Sequence, residues 1–256
     1  MTRRVVLLGA VFAGLLLAAS PAAPAAEPAG DDAAQDDPWE PMNRKVFGFN
    51  EKLDAWVLEP VATGWDFVMP DPVERSIQRF YRNLGSPVNF VNNLLQAKPE
   101  AAITDFGRFL VNSTVGIGGL FDPAGAWLRM PESDEDFGQT LGVWGVPPGP
   151  YLVLPFFGPS NPRDTGGMVF DYGLNGYTWF FPWYVNLGLT SVRIVNQRSR
   201  LLETIREERK DAFDFYVAVR NAYVQRRESQ VADQEPKGEE SDDGLYDLDP
   251  LDTSAP

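Results

Sequence analysis

The side chains that most often carry covalent chemistry are scarce. The 256 residues include no His and no Cys, which removes a Ser-His-Asp triad, a thiol nucleophile and the usual zinc ligand sets. Glu132, Asp134, Glu135 and Asp136 form a carboxylate run that could hold a cation or exchange protons, but such a run is more often a solvated face, and neither a metal nor a cofactor is expected. Ser160, within Gly158-Pro159-Ser160-Asn161-Pro162, lacks the second glycine of a nucleophile elbow and suits a turn. Gly116-Ile117-Gly118-Gly119 opens like a dinucleotide loop. It runs on into Phe121 and follows a helical pattern where that motif requires a strand, so a corner or a close helix contact is expected instead. No Walker sequence is present, and a net charge of -14 argues against nucleic acid as a partner. The chain is therefore not expected to be an enzyme. A carboxylate-dependent hydrolase is the enzyme alternative, and for it neither base nor nucleophile can be named.

The elements that would position these residues have an unusual distribution of charge. From Phe137 to Val192 the only charged residues are Arg163, Asp164 and Asp171. A membrane-crossing helix needs about 20 apolar residues in a row. Tyr172 to Val192 is long enough, yet Gly173, Gly176, Pro182 and Gly188 interrupt it, and five prolines break Phe137 to Pro162. Irregular backbone at membrane depth persists only where protein or a polar cavity satisfies it. The aromatics of Tyr177 to Tyr184 suit a membrane–water interface, while a large soluble core remains the alternative. Elsewhere the punctuation is helical. Asp71-Pro72-Val73-Glu74 predicts a capped helix start with Val73, Ile77, Phe80 or Tyr81, and Leu84 buried. Ser86-Pro87 predicts a restart, and Pro99-Glu100 a third helix with Ile103, Phe106, Phe109 and Leu110 on one face. Ser191 to Arg227 reads as one helix, or two with a break near Asp211. Period-two alternation is scarce, so the fold is expected to be mostly α, a single domain of short amphipathic helices with few or no strands.

Residues 1–25 read as a secretory signal peptide, with Arg3 and Arg4 before an apolar run and small residues after it. Residues 26–36 read as a flexible acidic leader, 37–227 as the folded domain, and 228–256 as a disordered acidic tail.

Particular words in the sequence then carry more than its statistics. Asp37-Pro38-Trp39-Glu40-Pro41-Met42-Asn43-Arg44, Pro87-Val88-Asn89 with Asn92, Arg108-Phe109 with Asn112, and Asp136-Phe137-Gly138-Gln139-Thr140-Leu141-Gly142 with Trp144-Gly145 resemble, in order, the signatures of the MlaA family, also called VacJ. Gly149-Pro150-Tyr151, Gly158-Pro159-Ser160 and Arg163-Asp164 continue the series. The resemblance implies a ring-like, membrane-embedded helical protein at the periplasmic face of the Gram-negative outer membrane. Its central amphipathic channel would remove phospholipid from the outer leaflet. The implied partners are phospholipid, the membrane, a trimeric porin and a soluble periplasmic lipid carrier. On this reading Asp136, Phe137, Gly138, Gln139, Leu141, Trp144, Arg163 and Asp164 belong to the lipid path, Phe47, Phe49 and Asn50 influence gating, and Trp179, Phe180, Phe181, Trp183 and Tyr184 form the membrane rim. Arg163 could hold a phosphate bidentately or brace Asp164 or Asp136, and both readings stay open. Family members commonly carry a lipidated cysteine at the end of the signal. Here Leu17-Ala18-Ala19-Ser20 places Ser at that point, so a non-lipidated member is expected. An interaction scaffold without a lipid path is the rival.

Overall fold

Helices account for most of the computed structural model, which describes residues 37–175 and 177–233. Chain order runs through α1 (Glu40–Leu53), a π-helical turn (Asp54–Leu58), α2 (Glu59–Val68), α3 (Asp71–Leu95), α4 (Pro99–Thr114) and the short α5 (Pro123–Ala126). Then come α6 (Phe137–Val143), β1 (Leu152–Leu154), β2 (Gly158–Ser160), α7 (Pro162–Leu174), α8 (Tyr177–Phe180), α9 (Trp183–Arg200), α10 (Leu202–Asp211) and α11 (Phe215–Val231). The two strands pair antiparallel, Val153 opposite Pro159.

Side-chain amides complete this small hairpin. Asn43 donates to Tyr151 O (3.0 Å) and accepts from Val153 N (2.9 Å). One heptad later Asn50 donates to Leu154 O (3.0 Å) and accepts from Phe156 N (2.9 Å). Two asparagines on α1 thus occupy the free edge of β1 as a third strand would. Beneath them Tyr151, Val153 and Tyr216 form an apolar core, with Phe47, Val217 and Val224 against it.

Elsewhere the burial pattern is inverted. On α4 the buried residues are Ala102, Asp105, Arg108 and Asn112, whereas Ile103 is 70% exposed and Phe106 and Leu110 about half exposed. On α3 the buried set is Glu74, Asn83, Val88, Asn92 and Asn93. The apolar stripes expected to face inward, including Val73, therefore do not form the buried face, because the helical period was right and the polarity of the interior was reversed. Asn93 donates to Asp105 (2.8 Å) across the α3–α4 seam, Ser133 donates to the same carboxylate (2.7 Å), and Arg108 pairs with Asp122 (2.8 Å) just before α5.

Several expected boundaries move. Pro70, not Asp71, is the cap of α3, and Glu74 accepts from Ser199 Oγ (2.6 Å) instead of closing a capping box. The restart at Pro87 is absent: α3 continues through it. The cost is one backbone hydrogen bond. The Pro99 start of α4 is as expected. The segment expected from Ser191 begins eight residues earlier at Trp183, breaks at Leu201 and again at Ala212–Asp214, and extends to Val231, past the expected limit of 227. The signal, the leader and the tail from residue 234 onward lie outside the described residues. The Gly116–Gly119 corner is a close contact. A Cβ on Gly119, at φ 94°, would lie 2.4 Å from Asn83 Cβ.

Candidate functional site

The first two helices of the charge-poor tract, α6 and α7, are opened by side-chain caps. Asp136 Oδ1 accepts from Gln139 N (2.8 Å) at the start of α6, and Asn161 Oδ1 accepts from Asp164 N (2.8 Å) at the start of α7. The helices meet at glycine. A Cβ on Gly167 would fall 2.4 Å from Gly138 N, and one on Gly138 would fall 2.7 Å from Asp164 Oδ1 and 2.8 Å from Arg227 Nη2. Any larger residue would force the helices apart.

That approach gathers charge around Arg227 of α11. Its guanidinium reaches Asp164 Oδ2 (2.8 Å) through Nε and both oxygens of Asp136 through Nη1 and Nη2 (2.6 and 3.1 Å). Tyr223, one turn earlier, donates to Asp164 (2.6 Å), as do Asn161 Nδ2 (2.8 Å) and Arg163 Nε (2.9 Å). Burial pushes the Asp164 carboxyl upward, but the bonds from Arg227, Tyr223 and Arg163 outweigh it and hold that group below its ordinary range. Burial likewise works against the charged Arg227, yet Asp136 and Asp164 keep it protonated above its ordinary value. Asp171 on α7 lacks an arginine partner of this kind. It accepts from Phe137 N (2.9 Å) and Asn92 Nδ2 (3.0 Å), and burial raises it to about 6. These groups enclose a cleft of about 110 Å³ lined by Asp136, Asp164, Met168, Asp171, Tyr223 and Arg227.

From Asp171 a buried chain of hydrogen bonds leads outward. Asn92 accepts from Thr140 Oγ1 (2.9 Å), Gln96 donates to Thr140 (3.1 Å) and to Glu135 (2.8 Å), and Glu135 pairs with Lys98 (3.2 Å). The chain ties α3 and the carboxylate run to α6. The run itself is consumed by cations: Glu132 pairs with Arg82, Asp134 with Arg226, Glu135 with Lys98 and Asp136 with Arg227. Among the described residues no group of three or more acidic side chains is placed to hold a metal.

Of the residues singled out from sequence, Asp136, Gly138, Gln139, Arg163 and Asp164 converge here. Arg163 is buried and bonded to Asp164, the bracing arrangement. Phe137 stacks on Phe170 (centroids 3.8 Å), Leu141 is half-buried on the same helix, and exposed Trp144 donates to Leu95 O (3.0 Å) at the end of α3. Phe47, Phe49 and Asn50 are not brought to the cleft. Phe47 packs on Tyr216 (5.4 Å), Phe49 meets Phe156 edge-on (5.4 Å) and Asn50 holds the hairpin. Ser160 is buried against Thr165 Oγ1 (2.9 Å). Trp179, Phe181, Trp183 and Tyr184 are exposed, Trp183 at 75%, while the Phe180 side chain lies outside the described residues. Tyr223 and Arg227 are not among the candidate site residues singled out from sequence. The signal available for both was their i, i+4 spacing, which puts them on one face of α11. No helix among the described residues is long and apolar enough to cross a membrane.

The comparisons with known proteins agree on one group. The family model described as MlaA lipoprotein matches residues 35–230. A Rickettsia felis protein is 40% identical over 76% of this chain and 78% of its own length. The Escherichia coli K12 protein named intermembrane phospholipid transport system lipoprotein MlaA is 34% identical over 86% of this chain and 90% of its own. A solved structure, from work on the structural basis for maintenance of bacterial outer membrane lipid asymmetry, is 35% identical. It superposes with a TM-score of 0.68, covering 77% of this chain and 99% of that one.

Proposed function

The chain belongs to the MlaA lipoprotein family, and from that premise we propose that it moves phospholipid between membranes and maintains outer-membrane lipid asymmetry. The observation that carries this reading beyond kinship is the inverted burial. Asn92, Asp105, Arg108 and Asp164 are buried, while Phe67 (90% exposed), Trp127, Val169 and Trp183 face outward. Water would penalise so much outward apolar area, whereas acyl chains would not. A polar interior would in turn give a charged headgroup a route past hydrocarbon, and each acyl methylene kept out of water is worth about 0.8 kcal/mol.

The finer reading is a ring with a central amphipathic channel, with α6 and α7 contributing polar groups to the lipid path and the aromatics of Trp179 to Tyr184 forming the rim. A porin would hold it in the outer membrane, and a soluble periplasmic carrier would receive the lipid. Because the sequence has no cysteine, no thioether acceptor is present, and anchoring would rest on the outward apolar surface. Intact-mass analysis showing a diacylated protein would refute that.

The function is tested by purifying the protein from outer membranes and measuring bound phospholipid by mass spectrometry, wild type against Met168→Trp, which fills the cleft. Phospholipid with wild type and depletion in the variant, at unchanged helicity, is the expected result. Equal lipid in both would remove the cleft from the path. No lipid in either would favour the scaffold.

A further inference from the structure

The tip of the hairpin displays two aromatic rings outward at a cost in backbone strain. Residues 155–157 form the turn, and Phe156 and Phe157 are 70% and 76% exposed. Phe156 has φ 69°, in the left-handed region that a bulky side chain rarely occupies. Asn50 of α1 holds it there, accepting from Phe156 N (2.9 Å) and donating to Leu154 O (3.0 Å), while Phe49 meets the Phe156 ring edge-on (5.4 Å). A turn that only reversed the chain would be served by glycine at this position, so the strain fixes where an exposed ring points.

Phe49 extends this apolar knob along α1. Met42, Lys45, Phe49 and Lys52 recur every three or four residues and are all exposed, which places them on one outward face. The charges of α1 are sorted. Both its carboxylates are taken by arginines, Glu40 by Arg44 (2.6 Å) and Glu51 by Arg209 (3.2 Å), whereas for Lys45 and Lys52 no salt bridge is found among the described residues. Exposed rings beside two ammonium groups on long apolar stems match the boundary of a phospholipid layer, where rings enter the acyl region and ammonium groups reach the phosphates. We infer that α1 and the hairpin tip form a second membrane contact, with Phe49, Phe156 and Phe157 inserted and Lys45 and Lys52 on the lipid phosphates. It shares no residue with the aromatics of Trp179 to Tyr184, and it supplies an attachment at the amino end of the fold in a chain without a cysteine to lipidate. The inference rests on the reading that the chain lies in a membrane and not on what it transports.

The absence of cysteine makes the test direct, because a single introduced thiol can carry an environment-sensitive fluorophore. Full-length Phe157→Cys, Trp183→Cys and Glu207→Cys, each labelled and reconstituted into phosphatidylcholine–phosphatidylglycerol vesicles, are compared for quenching by nitroxide-labelled acyl chains and by aqueous iodide. Position 157 should be quenched by nitroxide and shielded from iodide, as should position 183, while position 207, exposed on the polar α10, should show the reverse. Iodide access at 157 with nitroxide quenching at 183 overturns the second contact alone; iodide access at both overturns it together with the membrane reading. Shielding of 157 from both quenchers assigns the tip to a contact between protein chains and overturns it too. Phe156→Gly relieves the positive φ as it removes the ring, so the denaturation midpoint in detergent should hold or rise while partition into vesicles falls about tenfold. A lower midpoint with unchanged partition makes the turn merely structural and overturns the contact. Lys45→Gln with Lys52→Gln should shrink the preference for phosphatidylglycerol-containing over neutral vesicles by about fivefold for each lysine. An unchanged preference overturns the phosphate contacts.

Discussion

The hairpin corner and the α3–α4 seam solve the folding problem in opposite ways. Around the hairpin, Tyr151, Val153 and Tyr216 are inside, as in any water-soluble domain. Across the seam Asn93, Asp105, Arg108 and Asn112 are inside and Ile103, Phe106 and Leu110 outside. The hydrophobic effect can hold the first but not the second, because a helix with its apolar face outward gains nothing from water by folding. The seam must instead rely on hydrogen bonds and ion pairs, each worth little net but costly to break once buried. The contrast separates a part held by an apolar core from a part held by buried polar groups.

The largest way to break this division is at the polar junction itself. Arg227→Ala would leave Asp136 without an ionic partner and Asp164 with Arg163 alone, and should destabilise by about 3–5 kcal/mol, read by chemical denaturation in detergent. Tyr151→Ala removes the aromatic centre of the conventional core, for about 3–5 kcal/mol, and its cost should be independent of detergent. Asn92→Ala removes the donor to Asp171 Oδ1 and one of the partners of Thr140 and should cost about 1–3 kcal/mol. Phe106→Ser, on the outward face of α4, should leave stability in detergent almost unchanged yet lower partition into phospholipid vesicles in a flotation assay. A soluble-core residue would give the reverse pattern. Smallest of all, Arg44→Ala cuts an exposed pair with Asp214 (2.7 Å) and should cost less than about 1 kcal/mol.

How much of this the sequence disclosed depends on which side of the division is considered. Helical type, the start at Pro99 and the region of the break near Asp211 were legible, because proline and periodicity act locally. The direction of each stripe was not, since a period of 3.6 identifies a face without saying what lies against it. Reading Ile103 and Val73 as inward assumed an apolar interior. At the site, the words around Asp136–Gly142 and Arg163–Asp164 pointed to the corner where α6 and α7 meet, while the contacts of Arg227 and Asp171 there were not legible because they depend on partners 91 and 34 residues away. Phe47 and Asn50 were expected near a gate from the resemblance, yet Phe47 packs on Tyr216 of α11 and Asn50 holds the hairpin.

The fastening of α11 has a consequence for the order of assembly. Tyr216 donates to Asp37 across 179 residues, Arg44 meets Asp214 across 170, and Arg227 closes on Asp136 across 91. A chain emerging from its amino end can form α3 and α4 early, because their contacts are close in sequence. The corner that unites both ends must wait until α11 exists, and closing loops of that length is slow. Until then α1, the hairpin and α6 would be held only loosely, which leaves an interval in which the chain is long, helical and still unlocked.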